Sequence, residues 1–249
     1  MQNPPSLVSK IASVTLAFWV MKILATTLGE TAGDFLSMTL GLGYSVSLGI
    51  TFAFLAVVLA LQIGLSRFHP LLFWTAIIAT TTAGTEISDF LDRSLGLGYV
   101  AGSLVLFAGL LASLGAWWLT TRDLRVDPLV RKDAELFFWV AVLFSNSLGT
   151  AFGDFLVDNA GLSFVQGALV TAAVIAVVAG MHYARSVNDT LLFWIAFIFT
   201  RPFGATFGDF LTKPVDHGGL DLPREYASLT TLALLLAVLF LTHRRAPAR

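Results

Sequence analysis

Four aspartates recur at one place in a repeated pattern. Asp34, Asp89, Asp154 and Asp209 each stand 15 residues after a tryptophan (Trp19, Trp74, Trp139, Trp194), in segments that open on Phe-Trp and end on Asp-Phe-Leu. In the first two segments a second acid joins the aspartate. Glu30 lies four residues before Asp34 and Glu86 three before Asp89, so each pair shares one helix face. Like charges at that spacing destabilise a helix unless a proton or a cation lies between them, and their titrations are coupled. Carboxylates set in an apolar chain are suited to binding a proton or a hard cation. An oxygen-rich site favours Mg2+ or Mn2+ over Zn2+ or Cu+, and the chain has no cysteine and no His-x-x-x-His spacing among His69, His182, His217 and His243. The candidate metal ligands are therefore Glu30, Asp34, Glu86 and Asp89. The wider set of ion-binding candidates adds Asp154, Asp209, Arg201 and Asn146.

Arg201 takes the position that Thr26, Thr81 and Asn146 hold in the other segments, seven residues after each tryptophan. Pro202 follows it, so the helix is expected to kink or break there. An arginine that far into an apolar run calls for an acidic partner among Glu30, Glu86 and the motif aspartates, as a static ion pair or as a counter-ion that substrate displaces. Lys22 lies three residues after Trp19 and has no polar counterpart in the other segments; it is expected to snorkel to the membrane interface. A structural reading stands beside the functional one. Gly29, Gly84, Gly149 and Gly204 precede the aspartates by five, and Gly33, Ser88, Gly153 and Gly208 by one, which is small-xxx-small spacing for close helix contact. On that reading each aspartate caps backbone amides where its helix ends.

The chain that must position these residues is 56% hydrophobic and 12% charged over 249 residues, with a mean hydropathy of +0.80. Eight continuous apolar runs are each long enough to cross a bilayer as a helix: about 11–33, 43–65, 71–90, 98–120, 136–155, 162–182, 191–210 and 224–242. Barrel strands would alternate over roughly ten residues, whereas these runs do not. The expected class is an all-α polytopic membrane protein with eight transmembrane helices. The first run lacks a small-residue cleavage site and reads as a retained span. The net charge of −1 leaves no basic footprint for nucleic acid. No nucleophile elbow, phosphate loop or dinucleotide fingerprint appears, so neither an enzyme nor a cofactor is expected.

The motif occurs four times, and a second element, GLGY at 41 and 96 and GLSF at 161, follows it as a turn. Each repeat therefore reads as a helix pair, with boundaries near 11–66, 67–121, 131–185 and 186–243 in one domain spanning 1–249. The motif aspartates are 55, 65 and 55 residues apart, and the charged linker TRDLRVDPLVRKDAE at 121–135 divides the halves, 1–125 and 126–249. This arrangement resembles an uncharacterised family of bacterial membrane proteins built from four tandem repeats, each with two transmembrane segments and a characteristic tryptophan. The four Trp positions carry the likeness over essentially the whole chain, and the insertion KPVDHGG departs from it in the fourth repeat. The resemblance implies a fold and a bacterial source, hence the cytoplasmic (inner) membrane, and supplies no activity.

Ten of the fifteen Lys and Arg residues lie in the termini and between-repeat connectors: Lys10, Arg67, Arg122, Arg125, Arg131, Lys132, Arg185, Arg244, Arg245 and Arg249. That bias places both termini in the cytoplasm. Two crossings per repeat then give all repeats one orientation, a parallel pseudo-symmetry about the membrane normal. Eleven of the sixteen carboxylates fall in the outer motifs and turns, so a strongly negative outer mouth is expected. The leading expectation is a small-cation transporter or channel, proton-coupled or for a divalent metal; the alternative is a non-transporting scaffold or sensor in which the motif serves packing and capping. The partners expected are the lipid bilayer and a small cation, with self-association into a homo-oligomer left open.

Overall fold

The computed structural model describes residues 9–185 and 187–245, with side chains as far as Thr242. Arg249 and the side chains of His243, Arg244 and Arg245 lie outside the described residues. The α-helices are α1 (Leu16–Asp34), α2 (Gly43–Gly64), α3 (Pro70–Asp89), α4 (Gly98–Thr121), α5 (Lys132–Asp154), α6 (Phe164–Tyr183), α7 (Asp189–Thr212) and α8 (Arg224–Arg245). Among the described residues there is no strand. Six of the eight are long and apolar enough to cross a membrane, as in a polytopic membrane protein. α1 and α3 are the two that fall short, because they carry Lys22, Glu30 and Asp34 in one and a threonine-rich run with Glu86 and Asp89 in the other.

The odd helices form a closed inner ring, α1 against α3, α3 against α5, α5 against α7 and α7 against α1. Each even helix packs outside this ring, and it does so on the odd helix of the next repeat: α2 on α3, α4 on α5, α6 on α7 and α8 back on α1. Burial follows that division. The apolar windows of α5 and α7 are 67% buried, against 28% for α2, α4 and α6 and 22% for α8. Outer helices that are apolar all round yet mostly uncovered are what lipid contact requires.

Glycine makes the ring close. A Cβ on Gly29 would meet the side chain and backbone of Thr81, one on Gly84 would meet Asn146, one on Gly149 would meet Arg201 and Pro202, and one on Gly204 would meet Thr26. Each motif glycine thus faces, on the next inner helix, the residue seven after that helix's tryptophan. The hydroxyls of Thr81 and Thr26 lie 2.8 Å from the carbonyls of Ile78 and Ile23 on their own helices and 3.1 Å from those of Ala25 and Thr200 across the seams, so each proton is shared between the two. The turns behave as the sequence suggested. Gly41, Gly43, Gly96, Gly98 and Gly161 all have φ between 66° and 71°, a conformation that favours glycine.

At one end of the ring the Phe-Trp pairs build a girdle. Phe18 packs on Trp74 at 5.6 Å between ring centroids, Phe73 on Trp139 at 5.7 Å, Phe138 on Trp194 at 6.2 Å and Phe193 on Trp19 at 5.8 Å. The phenylalanine of every repeat therefore touches the tryptophan of the following one, and the fourth returns to the first.

Three expectations about local structure are corrected. α1 begins at Leu16, not at residue 11, because Lys10 and Ser9 are engaged elsewhere: the Lys10 N–H donates to the Leu129 carbonyl at 2.9 Å, and the Leu129 N–H to the Ser9 hydroxyl at 3.1 Å. The Lys10 ammonium is a buried partner of Glu135, and Gln62 donates to that carboxylate at 3.1 Å. Pro202 does not break its helix; α7 is continuous from Asp189 to Thr212 around it. Packing of Gly149 against Arg201 and Pro202 holds the helix through the missing hydrogen bond. The motif aspartates are not helix caps either. Asp34, Asp89 and Asp154 lead into single wide π turns, Phe35–Thr39, Phe90–Ser94 and Phe155–Asn159, and make no side-chain cap bond there.

Candidate functional site

The inner helices carry their polar residues in layers one helical turn apart. Three residues after the tryptophans stand Lys22, Ile77, Val142 and Phe197, all with no exposed surface. Four residues farther come Thr26, Thr81, Asn146 and Arg201, then Glu30, Thr85, Thr150 and Ala205, then the four motif aspartates. Arg201 is fully buried and Glu30 is 4% exposed. With 1.5 Å per residue, the aspartates lie about 22 Å from the aromatic girdle.

Two hydrogen-bonded groups bridge opposite sides of the ring. Arg201 on α7 donates from Nη2 to Glu30 Oε2 on α1 at 2.8 Å and to Thr85 Oγ1 on α3 at 2.5 Å. Its Nε and Nη1 have no partner. Lys22 on α1 donates to Asn146 Oδ1 on α5 at 3.2 Å, and its ammonium sits 4.2 Å from the centre of the Phe197 ring on α7. Asn146 in turn donates to Thr80 on α3 at 3.2 Å. Of the acids open to Arg201, the structure selects Glu30. The expected snorkelling of Lys22 is corrected: the girdle of Phe and Trp lies between it and that end of the bundle, so the amine turns inward to an amide oxygen and a ring face.

The motif carboxylates are held by cations from the turns that follow the motif and from the start of α8. Arg93, four residues after Asp89, reaches Asp89 at 3.0 Å and Asp154 of the next repeat at 3.3 Å. Lys213, four residues after Asp209, reaches Asp209 and Asp34 at 3.0 Å each, and Arg224 adds a contact to Asp34 at 3.4 Å. The corresponding places in repeats one and three are Met38 and Asp158. These three cations pair with the four motif aspartates, while the other outer carboxylates named in the sequence keep that end of the bundle acidic in balance. The signal was present in the sequence: a cation at i+4 from the aspartate in alternate repeats.

The acid pairs also separate. Glu30 turns to Arg201 and Asp34 to Lys213 and Arg224, while Asp89 turns to Arg93 and Glu86 turns away from the axis to Ser47 on α2. No cation is shared within either pair. Among the described residues no group of three or more His, Asp or Glu side chains has metal-holding geometry, so Glu30, Asp34, Glu86 and Asp89 are not brought together as one ligand set.

A family model described as a repeat of unknown function, DUF347, matches residues 17–68, 72–123, 137–188 and 192–247. Each match takes in one inner helix and the outer helix after it. No curated protein and no solved structure matches the chain. The four matches together cover most of the sequence, and the chain belongs to this repeat family, DUF347.

Proposed function

We propose that the protein is a small-cation transporter and that the cation its axis suits best is the proton. The observation that carries this reading is the placement of Lys22, Arg201 and Glu30 in the closed centre of the ring. The architecture does not need them there: Thr26 and Thr81 occupy the place of Arg201, Thr85 and Thr150 that of Glu30, and Ile77 and Val142 that of Lys22. Buried charge is costly, and where the fold is complete without it, an ion path is the usual reason for it. Buried side chains fill these layers and the carboxylates are held apart, so the described acids form no ready cage for a dehydrated metal ion. A proton needs no cage. It needs acids whose partners can be exchanged, with Arg201 as the internal counter-ion.

In this proposal all eight helices span the membrane with parallel pseudo-symmetry about its normal, in the bacterial cytoplasmic membrane. The girdle lies near the cytoplasm with both termini, and the aspartates lie near the outer face. The described state is closed at the girdle. The chain works by transport rather than by catalysis.

Flux into proteoliposomes tests the reading, with protons, Na+, K+, Mg2+ and Mn2+ scanned against wild type and an Asp34→Asn, Asp89→Asn double variant of equal folding. Proton flux that the variant loses is the expected result. Metal flux without proton movement would replace the proton by that ion. No flux for any ion, or equal flux in both proteins, would turn the motif into a packing device and the protein into a scaffold.

A further inference from the structure

Glu86 is the one acid of the repeated motif region that neither the ring axis nor the cation contacts at the aspartate end absorb. It is fully buried, on the side of α3 that faces α2. Its Oε2 lies in a close hydrogen-bond contact with the hydroxyl of Ser47, and its Oε1 has no partner. We propose that Glu86 carries a proton as a neutral carboxylic acid, which makes the α2–α3 seam a proton-binding site separate from the axis.

The first support is a count of hydrogens. Ser47 has a single hydroxyl proton. Its Oγ lies 2.8 Å from the Gly43 carbonyl and 3.2 Å from that of Tyr44, the back-bonded position that serine takes within a helix. With that proton on either carbonyl, Ser47 has only lone pairs to offer and the contact takes its hydrogen from the carboxyl. With that proton on Glu86, it serves Oε2 alone and leaves Oε1 of a buried carboxylate without a donor, which a protonated carboxyl avoids.

The second support is the repeat itself. The residue twelve after the tryptophan is Thr31, Glu86, Ala151 or Thr206, and only Glu86 is ionisable; in the first, second and fourth repeats it meets an outer helix. In the first repeat the contact is a neutral hydroxyl pair, with Ser228 of α8 donating to Thr31 at 2.8 Å. In the fourth, Thr206 packs against Gly167 of α6. A protonated Glu86 on Ser47 is the same kind of neutral contact.

The charges around it complete the case. α2 contains no Lys, Arg, Asp, Glu or His, and Tyr44 is its only titratable residue. On α1 the neighbours are Glu30 and Asp34, both acidic, and on α3 itself it is Asp89. α5 offers the neutral Asn146 from the inner ring. The nearby cations are already held by other acids, Arg201 by Glu30, Lys213 and Arg224 by Asp34, and Arg93 by Asp89 and Asp154. A carboxylate at Glu86 would leave its charge unpaired in a buried seam, which a group avoids by taking up a proton.

The inference stands whether or not ions cross the axis, and its test reads protonation directly. The infrared difference between wild type and Glu86→Gln, in lipid at neutral pH, should show the loss of a carboxylic-acid C=O band; loss of carboxylate bands instead overturns the proposal. A membrane-soluble dicyclohexyl carbodiimide then gives a second reading on the unaltered chain. The acid's proton passes to a carbodiimide nitrogen and its oxygen adds to the central carbon. The O-acylisourea so formed rearranges to a stable N-acylurea with no leaving group, so the whole reagent mass stays on the residue. Peptide mass spectrometry should place the adduct on Glu86, with labelling that falls as pH rises. Labelling confined to other acids, or absent from Glu86, counts against a protonated carboxyl in this seam.

Discussion

Replacing Arg201 by threonine, the residue of the first two repeats, should lower stability by about 3–5 kcal/mol, the range for removing one partner of a buried ion pair. The loss comes less from the missing contact than from what remains. Glu30, 4% exposed, would be left buried without its cation and with only Thr85 as a weak donor at 3.4 Å, and either an unpaired charge or the uptake of a proton there costs free energy. Adding Glu30→Thr to the same protein should recover most of the loss, because the centre would then resemble the layers already built from Thr26, Thr81, Thr85 and Thr150. Thermal unfolding in one detergent, with all three proteins side by side, measures both steps. The double variant also separates architecture from function, since it should fold and yet transport nothing. If Arg201→Thr alone costs less than about 1 kcal/mol, the pair is not the desolvated contact described, and its claim to a role on the axis weakens.

Gly84→Leu should prevent the ring from closing. A Cβ at this position would stand 2.9 Å from the Asn146 Cβ and 3.0 Å from backbone atoms of Asn146 and Ser147. Backbone cannot swing aside as a long side chain can, so α3 and α5 would have to part. Overpacking costs about 1–3 kcal/mol where neighbours can give, and a helix seam made of backbone gives little, so the expectation is above that range. Gly49→Leu is the control, because nothing lies within 4 Å of a Cβ at Gly49 on the exposed side of α2. Size-exclusion chromatography should show a single symmetric peak for the control and aggregate for Gly84→Leu. Equal behaviour of the two would mean that the inner seam is looser than its contacts indicate.

Much of this arrangement can be read from the chain, and the limit of that reading has a physical cause. Helix spans follow from apolar length, the seams from glycine spacing, the turns from paired glycines and the fourfold plan from the recurrence of Trp and Asp. All of these are properties of one helix or one turn. Partners are not. Spacing places Glu30 and Asp34 on one face, but it cannot tell which neighbouring helix brings a cation to each, and here Arg201 and Lys213 arrive separately from the fourth repeat. Lys22 was misread for the same reason, since three apolar equivalents gave no hint of an amide waiting on the opposite helix. The bridging of Asp89 to Asp154 by Arg93, and of Asp209 to Asp34 by Lys213, depends on the order of helices around the ring.

That order has a consequence for how the chain can be cut. Because α8 packs on α1 as α2 packs on α3, no interface depends on which repeat comes first. The two ends of the described chain lie at the girdle end: Ile11 belongs to the same buried cluster as Leu235 and Leu239 of α8. Joining them and opening the connector at 65–69 would give a circular permutant that starts at the second repeat and still buries every seam. Such a permutant should reach the same fold in detergent, with the four Phe-Trp contacts intact, and two two-repeat fragments made separately should reassemble into one ring. Connectivity would then be a convenience of synthesis, while the shape belongs to the repeat.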